Sequence, residues 1–558
     1  MEVGKGYMQF DFAGLDKKRR EIYTSRKQTE CLLADKGIVA ESDSAEFCTE
    51  ATSLKELRIA AIMDEFTLCC YQPECTLLEV SPEHFEQELD AFLPDMLFVE
   101  SAWNGNHGLW KDKLAHGSRE YFSLARYCTN KNIPIVFWNK EDPFHFDDFL
   151  LIAKSADYIF TTDSDMIPAY KSHIGFDRVY HLHFAAQPRL HNPLEIGMRQ
   201  DKFCFAGAYY RCYPERVDVF ERFAQIFIST KGLAIYDREY GKKRSAYKFP
   251  AKYKPYILGT LKADEIEKAH KGYVFGINMN TVVSSSTMFS RRVFELMASN
   301  TVTVGNYARG LDNYFGQRTV CTDDAKMLAA KLEKYCSTEA DIHKYRLLGL
   351  REILTFHLYE DRLNEIASKV YDINLKKELP RITVVAQVQN QKEAQWILAE
   401  YKAQTYMKKR LLTFFGDELI TEGFDQSHPS DIAQKRFETL GESGYVACFN
   451  PLDYYACNYL YDMVYSLRYC EAPIVGKDAY YSMHSGSLQY HSGHLYCYGD
   501  GIAVRRAIID ITLIGNMSIR EFLALRDLPG RALYIDEWNY CEATPCTRQS
   551  AVEDMELL

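Results

Sequence analysis

The sequence predicts an α/β protein: two tandem, doubly wound, Rossmann-like domains followed by a smaller C-terminal α/β domain. Three observations carry this. Short apolar runs alternate with helical segments, each run ends in polar or acidic residues, and the pattern occurs as two successive sets. Apolar strands separated by helices imply a parallel sheet covered on both faces. In the first set, Arg58–Met63 (RIAAIM), Met96–Val99 (MLFV), Ile133–Trp138 (IPIVFW) and Tyr158–Phe160 (YIF) are the strands. In the second, Phe203–Phe205 leads to Gly207 and a helix from about Pro214, then Leu233–Ile235, Tyr273–Ile277 and Val302–Val304 follow. A third unit has strands at Ile382–Val388, Leu411–Phe415 and Tyr445–Phe449, with a helix near 391–402. The expected division is a helical extension over 1–53, domains over 54–197 and 198–337, a helical cross-back over 338–374, the third domain over 375–525 and a tail over 526–558.

Bulk properties narrow the function classes. A chain of 558 residues is too long for one core. A net charge of −11 argues against nucleic acid as the main partner, because duplex binding rests on clustered Lys and Arg. The N-terminus is charged and lacks an apolar core segment, and no run approaches 18 apolar residues, so a cytoplasmic protein is expected. Its 16 cysteines show no metal-ligand spacing and are expected to be reduced. His181 and His183 share one strand face without a carboxylate or thiol partner, and no metal site is expected there.

The most informative stretch is Ser284–Glu295 (SSSTMFSRRVFE). It reads as a hydroxyl run opening a helix, with Arg291 and Arg292 in the first turns and Glu295 one turn beyond Arg291. Free N–H groups, the Ser286 and Thr287 hydroxyls and two guanidinium groups suit a diphosphate, and a nearby carboxylate suits the hydroxyls of a ribose. The plainer alternative is an N-capped amphipathic helix with an Arg291–Glu295 surface pair.

Residues 57–372 resemble the CgeB-type, spore-maturation-like bacterial glycosyltransferases of GT-B fold. The matching blocks are IMDEFT (62–67), LFVESAWNGNHGLW (97–110), IPIVFWNKEDPFHFDDF (133–149), IFTTD (159–163), FAAQP (184–188), FAGAYY (205–210), IYDR (235–238), NMNTV (278–282) and SSTMFSRRVFELMAS (285–299). The resemblance implies that the second domain binds a nucleotide-diphosphate sugar. Gly207 would let the backbone approach the diphosphate, Asp237 and Arg238 would contact the base or a phosphate, and Ser286, Thr287, Arg291, Arg292 and Glu295 would act as above. Fixed cations would then stand in for a metal, so no cofactor is required.

The first domain would hold the acceptor and a base. Asp142 with His145 leads, and Glu100 and Glu141 are rivals. Trp103, Asn104, Trp138 and Lys140 are candidates for acceptor contact, Lys140 alternatively for a phosphate. The acceptor could be a glycan, a lipid-linked sugar or a protein in cell-surface glycan synthesis. A lipid-linked acceptor implies peripheral contact at the inner membrane face, and self-association into a homo-oligomer is compatible with the pattern. Residues 381–510 are similar to family 2, GT-A-type transferase domains. Where that family carries an Asp-x-Asp metal cluster, this chain has Asn450-Pro451-Leu452-Asp453, with Asp462 further on. A degenerate domain follows from that loss. Two other readings are a non-catalytic sugar-nucleotide-binding scaffold and a bifunctional enzyme.

Overall fold

A computed structural model describes residues 47–242, 247–420, 432–440, 444–484 and 487–542. Of the helical extension expected over 1–53, residues 1–46 lie outside the described residues. The chain divides into two compact units. One comprises residues up to Phe184, with Ser284–Met288 and Tyr359–Lys377; the other comprises Ala185–Val283, Phe289–Leu358 and the residues from Glu378 onward.

The first unit is built on six parallel strands: β1 (Arg58–Ile62), β2 (Thr76–Glu79), β3 (Met96–Glu100), β4 (Ile135–Asn139), β5 (Tyr158–Thr161) and β6 (Val179–His181), in the order β2-β1-β3-β4-β5-β6. Every residue of β3 and β4 is buried, as continuous apolar runs in a doubly covered sheet require. Helix Tyr359–Tyr371 belongs to this unit. Its Arg362 Nε donates to His183 O (3.0 Å), the Tyr371 hydroxyl donates to Asp95 O (2.8 Å), and Tyr359 packs edge-on against Tyr71.

The second unit contains another six-stranded parallel sheet: β7 (Gln200–Gly207), β8 (Leu233–Asp237), β9 (Ile257–Gly259), β10 (Tyr273–Asn278), β11 (Val302–Gly305) and β12 (Val320–Cys321), in the order β12-β11-β10-β7-β8-β9. The first strand thus lies inside the sheet, between β10 and β8. Helix Arg292–Ala298 packs closely on this sheet: a Cβ on Gly276 would lie 2.4 Å from Leu296 Cδ2. Helix Glu339–Phe356 remains with this unit.

The same unit carries a mixed-sheet region: β13 (Ile382–Val388), β14 (Lys409–Phe415), β15 (Glu418–Ile420), β16 (Tyr445–Phe449), β17 (Tyr454–Tyr455), β18 (Ile474–Gly476), β19 (Tyr480–His484), β20 (Ser487–His491), β21 (Cys497–Ala503), β22 (Ala507–Asp510), β23 (Asp527–Tyr534) and β24 (Tyr540–Glu542). The larger sheet runs β15-β14-β13-β16-β22-β18-β23-β21, and a smaller one runs β17-β24-β19-β20. The α/β class read from the sequence is what the structure shows. Residues 527–542, read as tail, instead supply β23 inside the large sheet and β24 inside the small one.

Candidate functional site

On the second unit, three guanidinium groups gather where β7 and β8 end. Arg238 directly follows β8, and its N–H donates to Gly207 O (2.9 Å). Arg216 lies in the first turn of helix Pro214–Thr230, and Arg292 opens helix Arg292–Ala298. Tyr210 organises the group: the Arg216 guanidinium lies 5.1 Å from its ring centroid, and Arg238 Nη1 donates to its hydroxyl (3.3 Å). Arg292 lies over the Phe205 ring at 5.8 Å. Among the described residues, no carboxylate lies within ion-pair distance of Arg216, Arg238 or Arg292. Burial and then the charge of Arg238 pull Arg292 down to about 10. Burial likewise draws Arg216 down to about 10, with Tyr210 opposing and Arg238 reinforcing the shift. Like charges gathered with no carboxylate in direct contact, Glu295 acting on Arg292 only at longer range, make a candidate anion site at the carboxyl ends of parallel strands.

Arg291 is spent differently. Its Nε pairs with Glu295 Oε1 at 2.8 Å. The buried Glu295 also faces His191 Nε2 (4.0 Å) and His270 Nε2 (3.9 Å). Burial would raise the Glu295 carboxyl, but Arg291, the two imidazoles and Arg292 reverse this and hold it at about 2. Burial lowers both imidazoles, His270 to about 3. Asp237 accepts from Glu239 N (2.9 Å) and caps its own turn.

The hydroxyl run does not open a helix, contrary to expectation. The helix begins at Arg292. Ser285 Oγ accepts from Thr287 N (3.2 Å) and Met288 N (2.9 Å) and donates to Asp163 Oδ1 (2.6 Å), which makes a turn before any helix can form. Ser286 Oγ bonds Asp165. Thr287 Oγ1 donates to Thr162 O (3.0 Å) and accepts from Ser164 N (2.9 Å). These hydroxyls therefore anchor the segment to the loop after β5.

On the first unit, the buried Glu100 and Lys140 form a triad with the partly buried Asp64. Lys140 Nζ lies 2.9 Å from both Glu100 Oε1 and Asp64 Oδ2, and Glu100 also accepts from Thr67 Oγ1 (2.6 Å) and Asp64 N (2.8 Å). Burial raises Glu100 despite Lys140. For Asp64 the Lys140 charge overcomes burial and lowers the carboxyl. Asp142 accepts from Asn139 Nδ2 (2.9 Å), Thr161 Oγ1 (2.6 Å) and the Tyr170 hydroxyl (3.0 Å), and burial raises it to about 7. Asp142 and His145 are not a pair: His145 Nδ1 lies 2.7 Å from Asp148 Oδ2. Trp138 is wholly buried, its Nε1 donating to Leu182 O (3.0 Å), so it offers no ring face to a ligand. Trp103 is partly exposed, and Asn104 contributes its backbone N–H to Asp64. The half-buried Glu141 carboxylate makes no hydrogen bond among the described residues. His183 Nε2 donates to Thr287 O (2.6 Å) and Nδ1 accepts from Phe184 N, so that imidazole is not available to a metal.

Comparison with known proteins adds chemistry to this geometry. Residues 232–368 match the family model described as glycosyl transferase-like. That segment holds Asp237, Arg238, Arg291, Arg292 and Glu295. The spore protein CgeB of Bacillus subtilis (strain 168) is 25% identical over 195 residues, which is 33% of this chain and 59% of that protein. The chain thus spans about three-fifths of the length of that curated relative. Among solved structures, Anabaena HepE, crystallised with UDP and glucose, is 11% identical with a TM-score of 0.36, over 57% of this chain and all of that one. Sucrose-phosphate synthase from Thermosynechococcus elongatus is 12% identical with a TM-score of 0.35, over 51% of this chain and 75% of that one. Likenesses this distant carry no residue-level argument.

The sequence reading did not single out Arg216 or Tyr210, although Tyr210 closes the FAGAYY block. Their signal is an arginine in the first turn of the helix after Gly207 (AYYRCYPER). In the C-terminal region, Asp453 accepts from the Tyr540 hydroxyl (2.8 Å) and lies 3.4 Å from Arg505 Nη1. Asp462 takes two bonds from Arg351 (2.6 and 2.8 Å) and one from Asn539. Among the described residues, no group of three or more His, Cys, Asp or Glu is arranged to hold a metal ion.

Proposed function

We propose that this chain transfers a glycosyl group from a nucleotide-diphosphate sugar to a hydroxyl acceptor, without a metal, in cell-surface glycan synthesis. The observation that carries this reading is the cluster of Arg216, Arg238 and Arg292 at the ends of β7 and β8, with no carboxylate within ion-pair distance among the described residues. A diphosphate diester carries two negative charges and gains more as it leaves, and preorganised cations stabilise that growth. Glu295 is the candidate for the ribose: Oε1 is held by Arg291, whereas Oε2 faces His270 at 3.9 Å. A base must present a lone pair to the acceptor. Glu100 and Asp142 are committed to internal donors, which leaves His145 and Glu141. The acceptor class, a GT-B arrangement and a cytoplasmic or inner-membrane location belong to this reading; among the described residues no helix is long and apolar enough to cross a membrane.

The test is release of nucleoside diphosphate from UDP-, GDP-, dTDP- and CDP-linked sugars, with binding measured calorimetrically. Arg292→Ala and Arg216→Ala should each weaken binding of the accepted donor by roughly 10- to 100-fold, the size of a lost charge-assisted hydrogen bond. Donor affinity unchanged in both variants would overturn the assignment.

A further inference from the structure

The loop after β3 presents Trp103 on a fixed base. Asn104 N and Gly105 N donate to Asp64 Oδ1 (3.2 and 3.1 Å), and Asp64 Oδ2 is tied through Lys140 to Glu100. Gly105 has φ of +49°, and a Cβ there would lie 2.8 Å from Trp110 Cβ, so the chain path requires glycine. The triad therefore positions a loop. A triad that served stability alone would be weakly explained, since a buried ion pair is often replaceable by apolar residues at no loss.

What the loop presents is a partly exposed indole, 37% accessible, held edge-on by two neighbours. The rings of Phe149 and His145 lie 5.2 and 4.9 Å from it, at 71° and 82°. His145 is itself oriented. Its Nδ1 lies 2.7 Å from Asp148 Oδ2, and Asp148 Oδ1 lies 3.2 Å from His116 Nε2. A carboxylate on Nδ1 keeps the proton there and leaves Nε2 as a lone-pair acceptor. Nε2 has no hydrogen-bond partner among the described residues, and the side chain is 39% exposed. An indole face beside one fixed hydrogen-bond acceptor matches a ring with an apolar C–H face and hydroxyl edges.

We infer that Trp103 and His145 form a binding subsite for a pyranoside, with the sugar's C–H face on the indole and one hydroxyl donating to His145 Nε2. Asp148 is a positioning residue for that imidazole. Naming this ligand as the acceptor rests on the glycosyl-transfer reading; the subsite itself does not.

The experiment is saturation-transfer NMR on the full chain with the methyl glycosides of glucose, galactose and N-acetylglucosamine, without nucleotide. Transfer to at least one pyranoside is expected. Trp103→Ala should weaken it at least about tenfold and Trp103→Phe far less, and His145→Ala should weaken it several-fold with partial rescue in His145→Gln. Ring ¹⁵N shifts give an independent reading of Asp148: His145 should carry its proton on Nδ1 in the native chain and on Nε2 in Asp148→Ala. No transfer to any of the three sugars at millimolar concentration, or transfer undiminished in Trp103→Ala, would overturn the subsite. UDP, GDP, dTDP and CDP titrations of the same samples separate the two claims. Nucleotide binding without sugar binding refutes the subsite alone, and sugar binding without nucleotide binding refutes the donor reading alone.

Discussion

Two buried carboxylates show how neighbours decide the behaviour of a single residue. Glu295 is displaced downward from its ordinary value of 4.5 to about 2, so its stabilising contribution is present above pH 4.5 and disappears as pH falls toward 2. Glu295→Gln should cost about 3 kcal/mol or less at pH 7, and its gap from the native chain should narrow in urea titrations below pH 4.5. Asp142 is displaced upward to about 7, so the opposite holds: its contribution is complete below about pH 4 and is lost as pH rises through 7. Asp142→Asn should therefore show a flatter stability profile than the native chain between pH 4 and 8. A steeper profile in that variant would contradict the assigned direction. Neither displacement was legible beforehand. Asp142 stands next to Pro143 and three residues from His145, which invites a catalytic pairing, yet its partners Thr161 and Tyr170 lie 19 and 28 positions away.

Elements place these residues, and small residues at close contacts set the placement. A Cβ on Gly305 would sit 1.9 Å from the backbone oxygen of Asn278 on the neighbouring strand. Backbone cannot yield as a side-chain tip does, so Gly305→Ala should lower the thermal midpoint more than Gly276→Ala, whose clash is with the movable Leu296 end. Equal losses would show that the β10–β11 spacing is softer than described. In the first unit, Lys140→Met should destabilise by about 3–5 kcal/mol, because Glu100 is then buried without a counter-charge beside the partly buried Asp64. The strands themselves were readable, since a doubly covered parallel strand must be an apolar run. The start of helix Arg292–Ala298 was not. A hydroxyl run before two arginines has the composition of a helix N-terminus, but Ser285 turns the chain first, and its acceptor Asp163 lies 122 residues away.

At the scale of the whole molecule, the C-terminal region tests the metal-independent reading. Its carboxylates Asp453 and Asp462 are occupied by Arg505, Tyr540, Arg351 and Asn539. A ligand that binds the folded state raises the unfolding midpoint, by an amount that grows with the logarithm of its concentration over its dissociation constant. Millimolar Mg²⁺ or Mn²⁺ should therefore leave the thermal midpoint unchanged, and EDTA should leave donor hydrolysis unchanged. A midpoint raised by Mn²⁺ but not in Asp453→Asn would restore a metal site there. The sequence by itself determined the α/β class and the recurrence of strand and helix, because burial on both faces dictates composition locally. It also singled out Arg238, Arg292 and Glu295 as candidates, which the donor-binding experiment decides. Only the tertiary structure decided which polar groups are committed to one another. Arg291 is paired with Glu295, whereas Arg292 has no carboxylate within ion-pair distance among the described residues, and Glu100 and Lys140, through Asp64, hold the loop that carries Trp103. The reason is physical: a buried group's charge state and availability depend on partners brought from distant positions, and no local spacing encodes them.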